Sequence, residues 1–177
     1  MLLPQRIDRL KAGSAKIGCL LNPNGGQART RLLEIRQILQ QIPAIVLREG
    51  TNAESFKAAL DELLQAQIDL LVIVAGDGTT HAIFAHLFQH FKSCDDWPIL
   101  MIVPGGTTNM TSLDIGVHDK PVQALHRLRD YLLNPSTPKL AQRPVLCIEQ
   151  AGMKPIYGMF FAVGLVALGV KFSRSPV

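Results

Sequence analysis

Apolar residues along this chain alternate between two textures, short unbroken runs and stripes at helical spacing. Lys16 to Leu21 (KIGCLL), Ala44 to Leu47, Leu70 to Ala75 (LLVIVA) and Ile99 to Val103 (ILMIV) are runs too short for independent helices. They read as strands, and Leu70 to Ala75 as a strand buried on both faces inside a parallel sheet. Between them, Leu32, Ile35, Leu39 and Ile42 recur at helical spacing with Arg29, Arg31, Glu34 and Arg36 outside, and Pro43 is expected to end that helix. Thr51-Asn52-Ala53-Glu54 has capping-box spacing and opens a helix whose stripe is Phe56, Leu60, Leu63 and Leu64. Ile83, Phe84, Leu87, Phe88 and Phe91 form a further stripe, read as core, and Pro121 to Leu133 reads as another helix. Residues 1–15 are a lead-in or a short helix.

Strand, loop and helix repeat four times, so the expected fold is α/β, a doubly wound and mostly parallel sheet. Asn134-Pro135-Ser136-Thr137-Pro138 is a linker by composition. Beyond it, Pro144 to Glu149 and Ile156 to Val163 read as strands with no helix between them. The expected division is an α/β domain over residues 1–138 and the beginning of a β-rich second lobe over 139–177, incomplete as it stands. Unfinished sheet edges invite pairing, so a homodimer is among the expectations.

Composition narrows the class. With 177 residues and 47% hydrophobic content, one substantial core is available, but hardly two complete domains. The net charge of +4 comes from scattered residues and lends weak support to a nucleotide or an anionic membrane surface as partner. Aromatic content of 6% and the lack of any nucleic-acid module argue against nucleic acid. Cys19, Cys94 and Cys147 are odd in number, far apart and without metal-ligand spacing, which suggests free thiols in a reducing compartment. Arg6, Asp8, Arg9 and Lys11 interrupt the N-terminus, so it lacks a signal peptide's apolar core. No apolar stretch reaches the roughly 18 residues of a membrane span, so a cytoplasmic protein with at most peripheral contact at the inner membrane face is expected.

Candidate chemistry lies in the strand-end loops. Leu70 to Ala75 stops at Gly76-Asp77-Gly78-Thr79-Thr80, and a helical pattern follows at once. Glycines there let backbone approach a ligand, and the helix N-terminus suits a phosphate. Asp77 is the odd member, because a carboxylate repels phosphate; it makes sense if it holds Mg²⁺ or takes a proton from a hydroxyl. Asp-Gly is also ordinary turn chemistry, and that alternative stands. Asn22-Pro23-Asn24-Gly25-Gly26 and Pro104-Gly105-Gly106-Thr107-Thr108-Asn109 end two other strands. Ligands collect at the carboxyl edge of such sheets, and three loops of this kind are hard to explain as turns alone.

Together these loops resemble the diacylglycerol kinase catalytic-domain family, which includes sphingosine kinases and bacterial lipid kinases. Asn22-Pro23-x-x-Gly26 is similar to the family's NPxxG, Gly76-Asp77-Gly78-Thr79 to its GGDGT with Ala75 in place of the first glycine, and Pro104-x-Gly106-Thr107-x-Asn109 to its PxGTxN. Gly116 fits the glycine that closes the last element. The resemblance spans roughly Ile17 to Val117. It implies an NAD kinase- and diacylglycerol kinase-like fold and ATP-dependent phosphorylation of a lipid hydroxyl at a membrane surface. By position, Asn22 and Gly26 would border the nucleotide, and Gly76, Asp77, Gly78 and Thr79 would cradle its phosphates. Gly106, Thr107 and Asn109 would hold it from the neighbouring loop. Asp77 would act near the phosphoryl group through Mg²⁺.

The departures are specific. His81-Ala82 stands where members often carry Asn-Glu, and Met110 where many carry Asp. His81 is expected to be partly solvated surface, while His86, His90, His118 and His126 are expected at the surface without ligand geometry. The family's general base is a carboxylate of the second lobe, near a glycine-rich strand that Phe161 to Val170 resembles. Beyond Asp130 the only acid is Glu149, which matches no catalytic motif. Two expectations follow, a fragment of a longer kinase or a nucleotide-binding regulatory module without catalysis. A related NAD kinase is a further alternative, disfavoured by the NPxxG and PxGTxN elements.

Overall fold

The computed structural model describes residues 2–160. Its centre is a parallel sheet of β1 (Ile17–Leu21), β2 (Ile45–Glu49), β3 (Leu70–Ala75) and β4 (Ile99–Pro104), in the order β2-β1-β3-β4. β3 is buried along its whole length, as its unbroken apolar run requires. Side chains alternate between its faces. Leu70, Val72 and Val74 join Cys19, Leu21 and Val103 on one side, while Leu71, Ile73 and Ala75 join Leu20 and Ile102 on the other.

Each face is closed by helices. α3 (Leu32–Gln40) and α7 (Pro121–Leu133) cover the first with Ile35, Ile38, Leu39, Leu125 and Leu128. α4 (Ala53–Gln65) and α5 (Asp77–His90) cover the second with Leu60, Leu63, Ile83, Phe84 and Leu87. The sheet is therefore doubly wound. The aromatic stripe on α5 is core, with the Phe88 ring 4.6 Å from that of Trp97 and 4.4 Å from that of Tyr157.

Local details depart from the sequence reading for identifiable reasons. The helix expected before Pro43 is two pieces, α2 (Gly26–Thr30) and α3, broken at Arg31, and α3 ends at Gln40, short of the proline. The cap of α4 is Asn52, not Thr51: the Ser55 amide donates to Asn52 Oδ1 at 2.9 Å, while Ser55 Oγ accepts from the amides of Thr51 and Asn52. Asn is at least as good an N-cap as Thr, and one residue of shift suffices to choose it. β2 runs two residues past its expected end. Residues 3–11, Leu3–Lys11, form a helix, α1.

α1 is tied to the edge of the sheet opposite the strand-end loops. Asp69, fully buried at the start of β3, accepts from the Lys16 amide at 2.9 Å and pairs with Arg9 at 3.4 Å and Arg6 at 3.7 Å. Arg6 in turn donates to the carbonyls of Ile68 and Asp96. Burial lowers the Arg6 pKa, and the charge of Asp69 works against that.

After α7, a loop over residues 134–145 leads to an antiparallel hairpin of β5 (Leu146–Ile148) and β6 (Ile156–Gly158). These are shorter than the strands read from sequence, and β6 packs on α5. β6 ends at Gly158, so Met159 and Phe160 lie beyond the strand; residues 161–163 of the second expected strand, and the glycine-rich stretch Phe161 to Val170, lie outside the described residues. Cys19 is buried, which pushes its thiol up by desolvation, with Glu49 adding to the effect; Cys94 and Cys147 are exposed. Among the described residues no helix is long and apolar enough to cross a membrane.

Candidate active site

Because β1 connects outward to β2 on one side and β3 outward to β4 on the other, the chain reverses direction between β1 and β3. In doubly wound sheets that reversal leaves a crevice at the carboxyl edge. The register aligns Leu21 with Val74 and Ala75 with Pro104, so the loops that follow start side by side.

The loops are bonded to one another. Asn22 Nδ2 donates to Thr79 Oγ1 at 3.1 Å across the reversal point, and Asn22 Oδ1 accepts from the Asn24 amide. The Gln27 and Ala28 amides, in the first turn of α2, donate to the Gly105 carbonyl at 3.1 and 3.0 Å. The Asn109 side chain closes its own loop, accepting from the Gly106 amide at 2.7 Å and donating to the Gly106 carbonyl at 2.9 Å. Asn109 is buried at φ 53°, a left-handed conformation that Asn tolerates better than most residues.

Most of the glycines serve these loop-to-loop contacts. A Cβ on Gly76 would lie 3.0 Å from Gly106 Cα, and one on Gly106 would collide with Gly76 Cα. Gly25 is similarly pressed on the Gly105 carbonyl, and Thr107 Oγ1 lies over Gly26. Gly78 differs, because a Cβ there would meet nothing within 4 Å. It sits in the first turn of α5, and the N-cap residue Gly76 offers that end no side-chain hydrogen bond. Amides at the start of a helix have no intrahelical acceptor. Among the described residues the N-terminus of α5 thus has no side-chain cap, and Gly78 borders open space.

Asp77 does not compete for that end. Its Oδ1 accepts from the Thr111 amide at 2.8 Å and its Oδ2 from the Met110 amide at 3.1 Å, capping α6 (Met110–Asp114). A carboxylate engaged by two amides has part of its charge offset, which weakens the electrostatic objection to a phosphate nearby. Gly116, at φ 84°, turns the chain out of α6.

His81, one turn along α5, is partly buried and partly solvated. Its ring lies 5.2 Å from that of Phe160, and a Cβ on Gly158 of β6 would come within 3.1 Å of it. Burial lowers its pKa, opposed by the Asp77 charge. The structure thus brings Asn22, Gly26, Gly76, Asp77, Gly78, Thr79, Gly106, Thr107 and Asn109 onto one edge of the sheet. Within that group Gly78 faces open space, Thr107 is exposed, and Asn109 is turned into its own loop.

Sequence reasoning missed one grouping. His86 and His90 were expected to lack ligand geometry, yet one ligand atom from each and one from Asp61 lie within 4.8 Å of one another. The spacing of four residues between the histidines was the available signal; the part played by Asp61 depends on the packing of α4 against α5.

The fold and its three interlocked loops define a doubly wound α/β domain with its candidate site at the point of strand reversal. The family model for the diacylglycerol kinase catalytic domain matches residues 16–137. The chain belongs to this family, a family of lipid kinases. Solved structures from Bacillus anthracis str. Sterne are similar to it, one described as a diacylglycerol kinase and two as candidate diacylglycerol kinases. Each is 25% identical with a TM-score of 0.54 and is matched over 66% of this chain. The match covers 42%, 40% and 41% of those chains, so this chain spans well under half their length. No curated protein matches it.

Proposed function

We propose that this domain binds ATP across the β1, β3 and β4 loops as the nucleotide lobe of a lipid kinase. Such an enzyme transfers the γ-phosphate to a hydroxyl of a diacylglycerol- or sphingosine-like lipid. The observation that carries the reading is the N-terminus of α5, which has no side-chain cap among the described residues and is fronted by Gly78, where a Cβ would meet nothing within 4 Å. Free amides and the helix dipole favour a phosphate there. Asn22 and Thr79, bonded across the reversal point, would form the floor under it, and Thr107 and Gly106 the adjoining wall.

The residues present also fit Mg²⁺. Each oxygen of Asp77 accepts one amide, which leaves lone pairs unused, and Mg²⁺ commonly takes one or two carboxylates with phosphate and water completing its shell. Bound there, the ion would neutralise charge on the transferring phosphoryl group. Asp77 would hold the ion, Gly78 and Thr79 would orient the phosphates, and the lipid and its general base would come from the β-rich second lobe.

Calorimetric titration of the full chain with ATP and Mg²⁺ tests the reading. Gly78→Val is expected to abolish measurable binding and Asp77→Ala to weaken it strongly; unchanged affinity in both would remove the basis for it. A second reading is favoured by the Asp77 hydrogen bonds, which give that residue a structural role independent of catalysis. In that reading the domain binds nucleotide as a regulatory module, and phosphorylation of a lipid by this chain would exclude it.

A further inference from the structure

Asp61 on α4 and His86 on α5 face each other across the junction of two packed helices, with Asp61 Oδ1 and His86 Nε2 2.6 Å apart. His90 lies one helical turn beyond His86 on the same side of α5, as a spacing of four residues dictates. The two imidazole rings are 6.0 Å apart between centroids and inclined by 30°. One ligand atom from each of the three residues lies within 4.8 Å of the other two.

We propose that Asp61, His86 and His90 form a binding site for a transition-metal ion, zinc above all, which fastens α4 to α5. Two imidazoles and one carboxylate suit zinc and its first-row neighbours; Mg²⁺ and Ca²⁺ prefer sets made of oxygen alone. Tetrahedral zinc with bonds of ~2.0–2.1 Å holds its ligand atoms ~3.3–3.4 Å apart. The Asp61–His86 pair is closer than that, at 2.6 Å, and 4.8 Å bounds the other separations, so the three ligand atoms already lie near tetrahedral spacing. His86 is 15% exposed and Asp61 34%, which leaves water access to the remaining coordination position.

The site is separate from the nucleotide loops. His86 follows Asp77 by nine positions on α5, about 13–14 Å along the axis at 1.5 Å per residue. An ion here would stiffen the far end of the helix whose first turn forms the phosphate cradle.

The alternative is a plain hydrogen bond between Asp61 and His86, and His90 distinguishes the two because that bond does not involve it. Zinc is titrated into the full, untagged chain by calorimetry after alkylation of the exposed Cys94 and Cys147, with cobalt(II) absorption as a second readout. One ion per chain is expected, with binding at least tenfold weaker in His90→Ala and in His86→Ala, since even outer partners of a ligand cost 10–100-fold. At a free zinc concentration about a hundred times the dissociation constant, Tm should rise by roughly 5–10 °C, and not in His90→Ala. Two results would overturn the proposal: no saturable binding to the unaltered chain, or affinity in the His86→Ala/His90→Ala double variant within about threefold of it.

Discussion

A single methyl group added at Gly106 and the same group added at Gly78 should have opposite effects. At Gly106 the new Cβ meets Gly76 Cα, which is backbone, so no side chain can rotate away to relieve the contact. The loops after β3 and β4 must separate or deform, a form of overpacking that costs about 1–3 kcal/mol. For a chain of this size that lowers Tm by roughly 2–12 °C. At Gly78 the Cβ enters open space on a helical residue, where exchanging glycine for alanine stabilises by up to about 0.5–1 kcal/mol. Gly78→Ala should therefore leave Tm unchanged or raise it slightly, while placing its methyl group where the phosphates are proposed to lie. Thermal denaturation followed by circular dichroism and ATP titration, applied to both variants, give a two-by-two outcome. Gly106→Ala should lose stability. Gly78→Ala should keep stability and bind ATP at least about tenfold more weakly. Equal Tm shifts in the two variants would refute the account of which glycines serve packing and which faces a ligand.

Three further outcomes follow. Asp69→Ala should cost about 3–5 kcal/mol in chemical denaturation, because it leaves the Arg6 guanidinium buried without its counter-ion; a loss below about 1 kcal/mol would mean the pairs contribute little. Asn109→Ala should destabilise by about 1–3 kcal/mol by removing both bonds to Gly106 at a left-handed residue, and Asn109→Gly should cost less because it removes only the bonds; the reverse order would be incompatible with the geometry. The His81 imidazole sits below its ordinary 6.5, through burial first and despite Asp77, so the folded chain keeps it neutral where the unfolded chain protonates it. Its contribution to stability is complete above about pH 6.5 and is lost as pH falls from there towards the folded value. Asp77→Asn removes the opposing charge and should lower the NMR-measured His81 pKa further; an upward movement would contradict this.

The parts of the fold legible in the sequence are those set by residue type over several consecutive positions. Leu70 to Ala75 could hardly be anything but an interior strand, and the three strand-end loops announced themselves by glycine, asparagine and threonine. What stayed hidden depends on pairs brought together by packing. Whether a glycine faces open space or another loop is decided by register, and Gly76 and Gly78, two residues apart, differ in this. That the Asp77 oxygens also accept from the first amides of α6 was hidden, because that helix is too short to show as a periodic stripe. The choice of Asn52 over Thr51 as a cap was a matter of one residue between two suitable side chains. The bonds from Arg6 and Arg9 to Asp69 cross some sixty positions of sequence and left no local trace.

The strand order β2-β1-β3-β4 also bears on how the chain is born. β1 is an interior strand, yet the partner that covers one of its edges, β3, follows only after β2 and α4 have been made. About fifty residues separate Leu21 from Ala75, and at ~5–20 residues per second the ribosome needs roughly 3–10 s to deliver them. During that interval the nascent chain carries a strand with one unpaired edge and unfilled apolar faces, open to a chaperone or to a neighbouring nascent chain. The segment that closes that edge also places Asp69, the residue before β3, beside α1, and β3 itself leads into the loop at the candidate site.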